Sequence, residues 1–117
     1  MIEELVGRVF ALRNAAHLEH WATNSFSKHK ALGKFYEDII DKTDTLVEAY
    51  QGWHGLIGEV AIPKVSRESA IKQIEKDAAW IAENRSKISQ GNSMIENLID
   101  DLSQTYASTH YKLNQLK

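Results

Sequence analysis

Gly52–Ser66, GWHGLIGEVAIPKVS, decides how the rest of the chain folds. Its three glycines and Pro63 forbid a continuous helix. Fifteen residues reach roughly 50 Å when extended, and a 20-residue helix is only about 30 Å long. The segment can therefore cross a whole bundle and start the next helix at its opposite end. Trp53, Leu56, Ile57, Val60 and Ile62 are too apolar for a solvated linker, so the segment is expected to pack over the bundle.

On either side the apolar residues recur at helical spacing. Ile2, Leu5, Val9, Leu12 and Ala16, widened by Val6 and Phe10, predict a first helix over about 2–22. A polar break at 22–25 follows, with Ser25 or Ser27 as cap. Leu32, Phe35, Tyr36, Ile39, Ile40, Leu46, Val47 and Tyr50 predict a second helix over about 26–51. Beyond the crossover at 52–66, a third helix is expected over about 67–89 with Ser66 as N-cap, carrying Ile71, Ile74, Ala78, Ile81 and Ile88. Gly91 is placed for a left-handed C-cap. Ser93 to Glu96 reads as a capping box opening a fourth helix over about 94–116. The expected fold is all-α: a single-domain four-helix bundle made of two helical hairpins joined by a long crossover, the ferritin-like arrangement. A plain up-down-up-down bundle with a loose middle loop is the alternative.

Composition narrows the function classes. The 117 residues are 43% apolar and carry 14 basic and 16 acidic side chains, a formal net charge of −2. No global field directs the chain to nucleic acid or membrane. With no cysteine, disulfides and thiolate metal sites are excluded. No apolar run has the length of a membrane span, and the N-terminus MIEELVGRVF is unlike a signal peptide. A cytoplasmic setting is expected. No nucleophile–base–orienter set, Gly-rich phosphate loop or pair of Glu-x-x-His motifs is present, which argues against hydrolytic chemistry, phosphoryl transfer and a di-iron site inside one bundle.

Chemistry concentrates in His17–Glu48, HLEHWATNSFSKHKALGKFYEDIIDKTDTLVE. His17 and His20 lie one turn apart before Trp21, and His29 follows the polar break. Glu37, Asp41, Asp44 and Glu48 then recur on one helical face. His20, His29, Asp44 and Glu48 form the candidate metal set, with ligand types suited to iron, manganese or zinc. His29 and Asp44 would lie roughly 22 Å apart on one straight helix. A shared ion therefore needs a second chain running antiparallel across a two-fold axis. The plainer reading is that histidines at a helix end cap carbonyls and that acidic columns are solvated faces. Lys30, Lys34 and Lys42 alternate with the acids and can form helical ion pairs. His17 reads as a packed histidine, His54 and His110 have no acidic partner at ligand spacing, and Trp80 on the polar side of the third helix marks an exposed subunit contact.

The stretch His17-x-x-His20-Trp21, Phe26, His29, Tyr36, Asp44-x-x-x-Glu48 resembles the Dps-like miniferritins, in which Tyr, Asp and Glu stand 7, 15 and 19 residues after the second-helix His, as here. The resemblance implies a homo-oligomer that binds iron, with another divalent metal as the alternative, at two-fold interfaces shared by His20 and His29 of one chain and Asp44 and Glu48 of its mate. It further implies oxidation and sequestration of ferrous iron, a ferroxidase activity. The chain departs from the family at Gly33, where an acid is usual, and its first helix is expected to begin almost at Met1, so DNA binding through a basic N-terminal extension is not expected. The alternative is a metal-free ferritin-like oligomer acting as an interaction module or small-ligand binder.

Overall fold

The computed structural model describes residues 1–65 and 68–117. Four helices make up the fold: α1 (Ile2–Ala22), α2 (Phe26–His54), α3 (Ala70–Ser89) and α4 (Ser93–Gln115). The apolar stripes read from the sequence face inward. Leu5, Val9 and Leu12 of α1, Leu32, Phe35 and Ile39 of α2, Ile74 and Ile81 of α3, and Ile95 and Ile99 of α4 are all buried in one core. Phe35 and Tyr106 meet edge-on, ring centroids 5.6 Å apart.

The contacts at the helix ends give the topology. Glu19, near the end of α1, accepts a 3.0 Å hydrogen bond from the Ala70 N–H that opens α3. His54, at the end of α2, reaches the Ser89 carbonyl at the end of α3. Ser27, near the start of α2, donates to the Leu116 carbonyl just past α4. The helices therefore run up, down, down, up, with α1 against α2 and α3, and α4 against α2 and α3. Every neighbouring pair is antiparallel, and the crossover returns along α1 for the length of the bundle, as the reach of Gly52–Ser66 required.

Several local expectations shift. α2 continues to His54 because an isolated glycine weakens a helix without ending it. Gly52 stays helical, and the chain turns only at Gly55, where φ is 90°. α3 starts at Ala70 after Ser69; the expected Ser66 cap lies outside the described residues. At the α3–α4 reversal Gln90 and Gly91 both take positive φ. Asn92, one residue ahead of the expected Ser93, caps α4 by accepting from the N–H groups of Met94 and Ile95 at 3.0 and 3.1 Å. Glu96 does not close a capping box; it accepts from the Ser89 hydroxyl instead.

The crossover is a strap rather than a second hydrophobic layer. Ile57 and Val60 pack against the core, whereas Leu56 and Ile62 stay exposed, because an extended chain turns only part of its side chains toward α1; Trp53, expected to pack with them, stands exposed in the last turn of α2 instead. Close contacts along α1 hold it down. Glu3 accepts from the Gly58 N–H at 2.7 Å. The Ala61 carbonyl sits on Gly7, where a Cβ would collide with it.

One charge is buried in the core. Asp77 is fully buried, and its Oδ1 accepts from Arg8 at 2.9 Å and from Gln73 at 3.2 Å. The Arg8 guanidinium lies 4.5 Å from the Trp80 ring centre. Trp80 is accordingly half-buried against the core as a platform for Arg8, which corrects its reading as an exposed contact. Among the described residues, no helix is long and apolar enough to cross a membrane.

Candidate functional site

The α1–α2 turn brings the histidines together. Ser25 caps α2, accepting from the Lys28 N–H at 3.3 Å, and its own N–H bonds the Thr23 hydroxyl at 3.1 Å. This tight reversal lays the His20 and His29 rings face to face, centroids 3.7 Å apart and planes within 16°. Each ring also bonds the other residue's backbone: His20 Nδ1 lies 2.6 Å from the His29 carbonyl, and His29 Nδ1 lies 2.8 Å from the His20 carbonyl. A carbonyl can only accept, so both Nδ1 atoms carry the proton. The His20 carbonyl lies in the last turn of α1, where no helical N–H follows to bond it, and His29 fills that role.

This reciprocal clasp explains Gly33. A Cβ there would stand 3.0 Å from His20 Cε1 and 3.2 Å from Nδ1. The glycine is the seat of the His20 ring, one turn after His29, where the sequence reading saw a missing carboxylate. Tyr36 closes the other side, edge-on to His20 at 5.3 Å and stacked on His17 at 4.0 Å. Trp21 packs on His17 at 4.4 Å, and Arg13 lies 5.3 Å over the Tyr36 ring. Burial first, then the charge of Arg13 and the neighbouring His20, hold His17 below the usual imidazole range, as befits a packed neutral ring.

Of the four candidate ligands, the chain itself brings together His20 and His29. Asp44 and Glu48 stand exposed on the C-terminal half of α2 and make no ion pair or hydrogen bond among the described residues. Nor do three His, Asp or Glu side chains of the described residues gather at one point able to hold a metal ion. The stacking also bears on chelation. An ion midway between two stacked rings whose centroids lie 3.7 Å apart would sit far out of both ring planes for a metal–nitrogen bond of about 2.1 Å. The Nε2 atoms remain free of protons in the neutral rings, and either can accept a hydrogen bond or serve as a single ligand.

Around the clasp the surface is aromatic and open. Trp21 is 68% and Phe26 76% exposed, and Leu18 and Leu116 are exposed beside them. A shallow groove of about 740 Å³ runs along the start of α2, lined by Phe26, Lys30, Gly33, Lys34, Glu37 and Leu116 together with both clasp histidines. Lys34 pairs with Asp38 at 2.9 Å, Lys42 reaches across to Asp101 at 2.9 Å, and Lys30 stands 5.9 Å over the Phe26 ring. His110, set aside in the sequence for want of an acid, meets Glu75 of α3 at 3.1 Å. That pairing across helices leaves no trace in sequence spacing, whereas Asp77 did: it falls between Ile74 and Ile81 on the buried side of α3.

A family of unknown function (DUF5856) matches the chain over residues 20–113. An uncharacterized 14.6 kDa protein from the mobD-ri intergenic region of Enterobacteria phage T4 is 25% identical over 114 residues, covering 96% of this chain and 87% of that protein. No solved structure matches. These matches overturn the miniferritin resemblance. The family matched is a different one.

Proposed function

The chain belongs to the DUF5856 family of unknown function, and from its own geometry we propose that it is a helical interaction module. Its working surface is the α1–α2 face around Trp21, Phe26 and Tyr36. The observation that carries this reading is the exposure of Trp21 and Phe26 beside a rigid, hydrogen-bonded turn. Large rings held out into solvent on a fixed scaffold are the side chains that dominate protein–protein binding energy. The clasp histidines serve this surface as fasteners, holding the two helices at one separation.

Removing both rings tests the reading. Trp21→Ser with Phe26→Ser is expected to keep the fold, with a Tm within about 4 °C of wild type, since exposed positions change stability by about 0.5 kcal/mol each. In an extract of the cells that naturally make the protein, the wild-type chain is expected to migrate in a larger complex and the double variant at the size of the chain alone. A wild-type chain that migrates alone, or a complex that survives loss of both rings, would contradict the proposal.

A second reading, that the protein binds iron or another divalent cation, keeps one support: both Nδ1 atoms are tied to carbonyls, the arrangement that leaves Nε2 free as a metal ligand. Asp44 and Glu48 would then come from a second molecule. Anaerobic ferrous titration decides it. Saturable binding that His29→Ala and Asp44→Ala each abolish would establish the site, and no saturable binding would remove it.

A further inference from the structure

We propose that the partner of the α1–α2 face is a second copy of this chain, docked antiparallel about a two-fold axis close to Tyr36. This rests on the reading of that face as the working surface and names its occupant.

The face has the anatomy of an interface, with an apolar centre and a charged rim. Phe10, Tyr36, Ile40 and Val47 are only half-buried by the chain's own core, and Trp21 is largely exposed. They form two adjacent stripes, Phe10, His17 and Trp21 on α1 and Tyr36, Ile40 and Val47 on α2, each at helical spacing. Beside them Lys30, Lys34, Glu37, Asp41, Asp44 and Glu48 recur at steps of four and three along the outermost line of α2, and all six are exposed.

Charge along that line is divided rather than mixed. The N-terminal part is basic and the C-terminal part acidic, so a parallel copy would set like charges together and an antiparallel copy sets opposite ones together. One register leaves no like pair facing: Lys34 of one copy against Glu37 of the other, and Lys30 against Asp41. The axis then passes between residues 35 and 36, which puts Tyr36 and the His17 stacked on it at the centre of the interface. Asp44 and Glu48 fall over the other copy's α1–α2 turn, at the positive N-terminal end of its α2. A two-helix face about 30 Å long and about 20 Å wide is of the order that stable dimers bury on each partner, about 800 Å².

Sedimentation of the full chain and its charge-reversed forms tests this. Wild type is expected to sediment at twice the chain mass. Lys30→Glu with Lys34→Glu makes the rim acidic, and Glu37→Lys with Asp41→Lys makes it basic. Each double variant alone is expected to dissociate at least 30-fold more readily, since four facing pairs turn repulsive. An equimolar mixture of the two is expected to form a one-to-one pair, because every facing pair is again opposite in charge. Since the native chain has no cysteine, a second measurement works even if a charge variant loses helix content: Lys30→Cys mixed with Asp41→Cys is expected to form the mixed disulfide in preference to either symmetric one. A wild-type chain that stays monomeric, or a dimer indifferent to both the reversals and the cysteine placement, would overturn the self-pairing. A monomer that still loses a different partner when Trp21 and Phe26 are removed would overturn the self-pairing alone and leave the working surface standing.

Discussion

Asp77→Ala is expected to lower the unfolding free energy by about 3 kcal/mol, the low end of the range for breaking a buried ion pair. For a chain of this length that corresponds to a Tm drop of about 15 °C. The substitution leaves Arg8 without its buried acceptor and Gln73 without its partner, and it opens a space beside Tyr106. The low end is chosen because Arg8 is partly exposed and has a second carboxylate, Glu4, 3.5 Å from its Nε. That contact is an ion pair without hydrogen-bond geometry, and Arg8 Nε, Asp77 Oδ2 and the Tyr106 hydroxyl are all buried without a hydrogen-bond partner. The cluster is therefore incompletely satisfied, and its pH dependence shows in which direction. Burial raises the Asp77 carboxyl above its ordinary value, outweighing the bonds from Arg8 and Gln73 that act to lower it. The folded chain then holds the Asp77 proton more tightly than the unfolded chain does. Stability from this group is complete below the ordinary carboxylate pKa and is lost as pH rises from there through the raised native value. Asp77→Asn is expected to remove that slope, so urea unfolding from acid to neutral pH should show wild type losing stability relative to the amide variant as pH rises.

Gly7→Val is expected to cost about 2–3 kcal/mol and to lift the crossover off α1. Overpacking a tight contact costs about 1–3 kcal/mol, and here the obstacle is the Ala61 carbonyl, backbone that cannot swing aside. Relief requires the strap to move, which gives up the Glu3–Gly58 hydrogen bond and the packing of Ile57 and Val60. Limited proteolysis should consequently cut the variant within residues 56–65 faster than wild type, with urea unfolding reporting the energy. Gly52→Ala is the contrast. Gly52 is helical, has nothing within 4 Å of its would-be Cβ and has no positive φ, so alanine there is expected to stabilise by about 0.5–1 kcal/mol. Two glycines within helices, opposite signs: the neighbour decides.

The helices and their connectivity were legible because they rest on long-range regularities. Apolar residues at steps of three and four mark the buried faces, and the glycines and Pro63 within Gly52–Ser66 leave a connection long enough for a crossover. Boundaries were less legible because adjacent residues compete for one role. Asn92 and Ser93 can both cap, and the reversal through Gln90 and Gly91 presents Asn92 first. The candidate site was half legible. That His20 and His29 flank one turn could be read from spacing, and so could the idea that helix-end histidines cap carbonyls. Their reciprocal bonding could not, because it depends on how closely α1 approaches α2, which Gly33 permits. The same glycine, read as a lost ligand, was a departure from the miniferritin pattern, a resemblance that the match over residues 20–113 overturns. Asp77 left its signal in plain view as an acid on the buried stripe of α3, but its partner Arg8 lies 69 positions away and no local pattern points there.

The most direct measurement on the α1–α2 face is photo-crosslinking in the cells that naturally make the protein. A photoreactive side chain placed at position 21 or 26 is expected to capture a partner, a second copy of this chain if the self-pairing holds. The same group at the exposed position 79 or 83 of α3 is expected to capture none. Capture at 79 or 83 with none at 21 or 26 would place the working surface elsewhere on the bundle and contradict the account.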